Sequence, residues 1–327
     1  MKRLFFALLF ALPALAGTLT RLDMSEIDDD SIEITSPVWD GSQSGLVLVN
    51  RFESSFDRTV AHRVAGGFRN AGIKDQILGP QVDLGEILAD TMRSEGRKLG
   101  LRMMAPQEAV APEWVIGGTI RQALVEIQHV GYGSLLFYST LDVDVTLTKK
   151  GAQPVTKRIR PGRFFVMFNG GMGTGDEAQM ALEKIILVGA QEILARLNRE
   201  HIHASALVPM QGKLAALKNI GEHEGDLHAI GLSGVRGGAA AIATMIEKEQ
   251  DENARTSLVY ALTDLGAAPH APMLMRRYAS EDADVRYATL LALDSVGSAE
   301  AMAFIRENGP KDKNTAVRRL AERLSAR

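Results

Sequence analysis

The clearest pattern in the chain is a strict alternation in its middle. Leu141, Val143, Val145 and Leu147 are apolar, and Asp142, Asp144 and Thr146 between them are polar. That is the pattern of a strand with one buried and one wet face. The spacing predicts three strands in series, over 114–129, 135–148 and 155–168. With Lys150-Gly151-Ala152 as a three-residue hairpin loop, Asp144 faces Arg158 and Asp142 faces Arg160. Val143 then meets Ile159 and Leu147 meets Val155, so one register satisfies both faces. These charges therefore read as cross-strand pairs.

Two helical stripes flank the strands. Leu84, Leu88, Met92 and Leu99 line one side of a helix over 83–99, opened by Asp83 and Glu86 at capping-box spacing. A second helix runs from Thr174 to about Arg199, opened by Thr174 and Glu177, with Ala178, Leu182, Ile185, Gly189, Ile193 and Leu197 on one face. Gly189 there permits a close approach to the sheet. The apolar run Leu46–Val49 fits a central strand, and the glycines and Pro80 over 60–82 suggest an excursion or hairpin. Residues 44–203 thus read as an α+β domain, an antiparallel-rich sheet with two packed helices. Residues 17–43, with Asp28-Asp29-Asp30, read as a polar acidic tail.

From about residue 204 to 327 the periodicity is helical only, an all-α segment. The string Ala-Leu-x-x-aliphatic-Gly occurs at 216–221, 261–266 and 292–297, the last two copies 31 residues apart. Arg255 and Arg286 repeat at the same offset, and Arg318 follows about one period later. A helical unit of this length that closes on glycine signals a solenoid. Such stacks expose extended recognition surfaces, which makes Arg255, Arg286 and Arg318 the candidate partner-binding residues.

The N-terminus changes the expected compartment. Lys2 and Arg3 precede an apolar run from Leu4 to Leu15, and Ala14 and Ala16 supply small residues before Gly17. This is the plan of a signal peptide over 1–16, with a run too short for the ~20 residues of a spanning helix. Leu15-Ala16-Gly17-Thr18 follows a lipoprotein box with threonine where the lipidated cysteine belongs, so no acyl anchor is expected. An exported, soluble, periplasmic protein follows. The chain has no cysteine, which excludes disulfides, thiolate metal sites and cysteine nucleophiles. Its net charge of −3 supplies no footprint for nucleic acid.

Candidate chemistry is thin. Gly170, Gly171, Gly173 and Gly175 precede the second helix and form a possible mobile loop, without the Lys-Ser/Thr pair of a phosphate loop. His201, His203, Glu222, His223, Glu224 and His228 gather in sequence, with a spacing that matches no zinc motif. No nucleophile elbow or Ser-His-Asp order occurs. The expectation is a non-enzymatic protein without cofactor or metal.

Two resemblances carry the reading further. Asp284-Val285-Arg286 at a helix start, followed by Ala288, Ala292 and Leu293, resembles the short HEAT repeats of the phycobilisome-lyase type, over about 211–327. The order of Ser31–Thr35, Leu46–Val49, Asp57-Arg58, the helix at Asp83–Leu99, the strands and a closing helix with Asn198 resembles the YajG-type envelope lipoproteins, over about 31–200. Thr18 departs from that family's lipidated cysteine. Together they imply a periplasmic adaptor or assembly factor that binds envelope protein partners through its repeats. The alternative is a small-ligand or lipid-binding envelope protein, with ligand held between sheet and helices or at the interdomain cleft; an exposed apolar groove at Met273 and Met275 suits either. A metal hydrolase at His201–His228 requires bound metal.

Overall fold

The computed structural model describes residues 17–25, 27, 31–34, 36–63, 75–105, 107–108, 110–131, 134–168, 175–217, 220 and 223–326. Strands β1 (Gly17–Leu19), β2 (Trp39–Asp40), β3 (Val47–Val49), β4 (Glu53–Ser54), β5 (Thr59–Arg63) and β6 (Gln76–Leu78) precede helix α1 (Leu84–Leu99). Then come β7 (Trp114–Gly131), β8 (Ser134–Lys149), β9 (Val155–Ile159), β10 (Gly162–Phe168) and α2 (Gly175–Leu197). Helix α2 ends in a π-helical turn, Asn198–Ile202, and β11 (Ser205–Ala206) follows. The remainder is helical: α3 (Val208–Ala216), α4 (Glu224–Ser233), α5 (Gly238–Lys248), α6 (Glu252–Gly266), α7 (Ala271–Arg277), α8 (Ala283–Val296), α9 (Ala299–Asn308) and α10 (Thr315–Ser325).

The main sheet is mixed. Antiparallel pairing joins β7, β8, β9 and β10, while β3, β4 and β5 lie parallel to β7 on its other side. The alternation in β8 sets the register expected from it: Val143 opposes Ile159, Asp144 opposes Arg158 and Leu147 opposes Val155. Asp142 accepts from Arg158 Nε at 2.8 Å and from Arg160 Nε at 3.0 Å, whereas Asp144 pairs with Arg121 instead. The third predicted strand is broken at Arg160-Pro161. Pro161 has no N–H to give the ladder, and its carbonyl accepts from Leu141 N at 2.9 Å. Strands β5 and β6 pair antiparallel, the hairpin side of the expected excursion or hairpin.

Helices α1 and α2 cover one face of the sheet. Asp83 caps α1 by accepting from Glu86 N. Gly189 lies so close to β8 that a β-carbon there would come within 2.6 Å of the Leu141 side chain. The segment read as a polar tail is instead part of this core. Ile32, Ile34, Val38 and Trp39 are buried, β2 pairs with β11, and Trp39 Nε1 donates to Ser233 O. Spaced apolar residues in a polar stretch anchor it without any periodicity that sequence could register.

The C-terminal helices curl around the β10 edge of the sheet. Helix α4 packs on α2, α6 on α4, α8 on α6 and on β10, and α10 on α8. An edge strand offers unpaired backbone groups, and covering it removes that liability. The far face of the sheet is reached by α8 and α10. There Tyr138 stacks between Tyr287 and Phe164 with ring centroids 5.0 Å apart in both pairs, and Arg323 pairs with the buried Glu126 at 3.0 Å. The wet face predicted for the sheet is therefore wet only along the Asp142–Thr146 half of β8. Helices α5 and α9 sit outside this row, against α6 and α8, with α7 packing on α8 and α9. Glycines with positive φ end α4, α6 and α8 at Gly234, Gly266 and Gly297. The copy equivalent to 261–266 and 292–297 is thus Ala229–Gly234, not the one at 216–221, where α3 has already ended at Ala216. No described helix is long and apolar enough to cross a membrane.

Candidate functional site

The repeated string acquires a role where α6 and α8 end. Its two variable positions are Thr263 and Asp264 in one copy and Asp294 and Ser295 in the other, and all four line one cavity of about 510 Å³. The opposite wall comes from the broken strand and from the end of α2: Arg158, Arg160, Arg163, Glu192, Arg196, Arg199 and Glu200. Gly162 lets the chain turn under α8, because a β-carbon there would lie 2.4 Å from Leu291 Cδ1. The site is therefore a seam between sheet edge, α2 and the helical row. Cavities of this size suit small molecules.

Most of its charges are matched. Arg160 bridges Asp142 and Asp294, at 3.0 and 3.2 Å. Arg163 lies between Asp264, at 3.4 Å, and Glu192, an ion-pair neighbour rather than an aligned hydrogen-bond acceptor. Its guanidinium also lies 4.3 Å from the Tyr260 ring centroid, a cation–π contact. Two buried carboxylates sharing one guanidinium compete for it. Burial pushes Glu192 up to about 8 and Asp264 up to about 6, the nearby Arg163 opposing both. Burial also works against the charge on Arg163, but Glu192 and Asp264 outweigh it and raise its pKa.

A buried polar chain leads away from this point. His228 Nδ1 is 3.9 Å from Asp264, and its Nε2 lies 2.7 Å from Gln191 Oε1. Gln191 Nε2 donates to Glu95 at 2.8 Å, and Lys98 pairs with Glu95 at the surface. Carboxylate, amide, imidazole and guanidinium thus tie α1, α2, α4, α6 and β10 into one network. A second cavity, of about 360 Å³, lies on the other side of Arg163 and Tyr260.

Two arginines at the end of α2 are less well served. Arg196 makes long contacts, to Glu200 at 3.3 Å and to Ser295 O at 3.4 Å. Arg199, within the π-helical turn, has no hydrogen bond or ion pair to any described residue, and its Nε is buried without a partner. Burial lowers its pKa. Single π-turns are frequent at functional sites, and His203 closes this one in the left-handed region, with φ 59°.

The residues singled out from sequence lie elsewhere. Arg255, Arg286 and Arg318 bind the chain itself. Each donates to a carbonyl of the loop before its own helix, at Glu249, Glu281 and Asp312. Arg255 also reaches Glu281, and Arg286 reaches Asp312, in the next loop of the series. This ladder accounts for their spacing, and Arg286 is only 3% exposed. Met273 is buried and Met275 half-buried, so they frame no open apolar groove. Gly170, Gly171 and Gly173 lie outside the described residues, as does Glu222; Gly175 opens α2. Among the described residues no three His, Asp or Glu side chains converge as metal ligands. Sequence reasoning passed over Asp264, Asp294 and Arg199, the first two hidden in the variable positions of the repeat.

No family model matches the sequence, and no curated protein does. Among solved structures, the chain is similar to a Xanthomonas campestris protein of the DUF330 family, at 13% identity and TM-score 0.31, over 50% of this chain and 89% of the other. An uncharacterised protein matches at 15% identity and TM-score 0.24, over 51% and 98%. Likeness at this level assigns neither family nor activity.

Proposed function

We propose that this chain is a non-enzymatic, exported protein of the bacterial envelope that holds a small polar ligand at the seam between its sheet and its HEAT-like helical row. The observation that supports this reading is the cavity of about 510 Å³, lined by charged groups from both layers. Its carboxylates are already bound to arginines. Its neighbour His228, the buried histidine among the described residues, is bonded to Gln191. Export rests on the signal-peptide plan of residues 1–16. A lipid chain suits the cavity poorly, because its wall is rich in guanidinium and carboxylate. The test is native mass spectrometry of protein released from the periplasm, beside Ala268→Trp, which puts an indole at the cavity wall. The expected result is a bound small molecule on the natural chain and its loss from the variant; bare masses for both, with no compound from a periplasmic extract raising Tm, would sink the reading.

A second reading, a periplasmic adaptor or assembly factor, has one observation in its favour. Met245, Met275 and Phe304 are half-buried on α5, α7 and α9, 30 and 29 residues apart. A regular apolar row suits an envelope protein partner. Crosslinking from the native envelope with Met275→Asp beside the natural chain tests it; capture of the same defined protein by both argues against this surface.

A further inference from the structure

The ligand of this seam can be given a chemical class. Arg196 and Arg199 stand three residues apart at the end of α2 and both line the cavity. The other arginines there have carboxylate partners: Arg158 and Arg160 have Asp142, Arg163 has Asp264 and Glu192, and Arg196 itself reaches Glu200 at 3.3 Å. Arg199 has none, and its Nε is buried without an acceptor. Asp264 and Glu200 act on Arg199 only from beyond ion-pair distance, and the like charge of Arg196 works against them. Such a pair is complementary to an anion that enters from the cavity. One guanidinium fork satisfies a carboxylate bidentately, whereas two forks suit the three free oxygens of a phosphate group. We infer that the cavity takes a phosphate-bearing molecule, its phosphate held between Arg196 and Arg199. The inference rests on the ligand-binding reading above and narrows it.

The test is calorimetric titration of the full exported chain with inorganic phosphate, glycerol 3-phosphate, and phosphatidic acid vesicles diluted in phosphatidylcholine. The natural chain is compared with Arg199→Gln and with Arg121→Gln. The latter removes the same charge on the open face of the sheet, where Arg121 pairs with Asp144. Binding that Arg199→Gln weakens at least tenfold and Arg121→Gln leaves unchanged supports the inference. Glycerol 3-phosphate as the best titrant points to a free phosphorylated compound, and the vesicles to a lipid headgroup. No binding of any of the three, or equal loss in both variants, overturns it. If the phosphates fail while native mass spectrometry still finds a retained molecule, the inference falls and the ligand-binding reading survives. A thermal scan guards against mere misfolding. Without ligand, Arg199→Gln melts at or above the natural chain, because it removes a half-buried guanidinium with no ion-pair partner among the described residues; with glycerol 3-phosphate, the natural chain alone gains Tm.

Discussion

The two halves of strand β8 look alike in hydrogen bonding and differ in what lies above them. Along Leu141–Thr146 the strand alternates, and its outer side chains meet charged partners: Asp144 the half-exposed Arg121, and Asp142 the exposed Arg158 and the buried Arg160. Along Leu135–Thr140 there is no alternation. Leu135 and Phe137 belong to the core shared with α1 and α2, while Leu136 and Tyr138 belong to the core formed with the helical row. A continuous apolar run marks a strand covered on both sides. The change from run to alternation within one strand therefore marks where the helical layer stops, and the cavity lies beside that boundary.

The largest expected effect is on the covered side. Arg163→Met leaves Glu192 and Asp264 facing each other, buried, and should cost about 3–5 kcal/mol at pH 8 in urea unfolding. The loss should be smaller at pH 5, where both acids hold their protons. Tyr287→Ala removes a fully buried ring packed on Tyr138 and should cost about 3–5 kcal/mol. Gly189→Val drives a side chain into Leu141 and should cost about 1–3 kcal/mol, with α2 displaced from the sheet.

The pH dependence sharpens the comparison. Glu192 has its pKa raised by burial from 4.5 to about 8, so between those values the folded chain binds more protons than the unfolded one. Its contribution to stability is full below about 4.5 and is lost as pH rises through about 8. Glu192→Gln should flatten that slope in urea titrations taken at several pH values; an unchanged slope would assign it to other groups. The smallest effect belongs to the open half. Asp144→Asn should cost under about 1 kcal/mol, and less in high salt, since Arg121 is half exposed.

Much of the first layer was legible in sequence for reasons that are local. Alternation set the β8–β9 register, Asp83 announced the cap of α1, and Gly189 announced a close approach. What was missed depends on contacts far apart in sequence. The docking of the helical row is written in the Leu135–Thr140 run, but a run alone does not say what covers it. Ile230 and Ser233 stand where the other copies have leucine and an aliphatic residue, which hid Ala229–Gly234 as the first copy. Periodic arginines suit a partner surface or an internal ladder equally well until Asp312 and Glu281 are seen beside them. The isolation of Arg199 is a property of three dimensions only, because Glu200 follows it directly yet pairs with Lys157 and Arg196.

The central claim is that sheet edge and helical row form one cooperative body with the cavity at their seam. Equilibrium urea unfolding tests it directly, because Trp114 is buried in the main sheet and Trp39 sits where β2 meets α4, while most helical signal arises from the C-terminal helices. Tryptophan fluorescence and far-ultraviolet circular dichroism should give one coincident transition. Loss of helical signal at clearly lower urea, with the tryptophans still buried, would mean that the helices fold apart from the sheet, and would contradict the account.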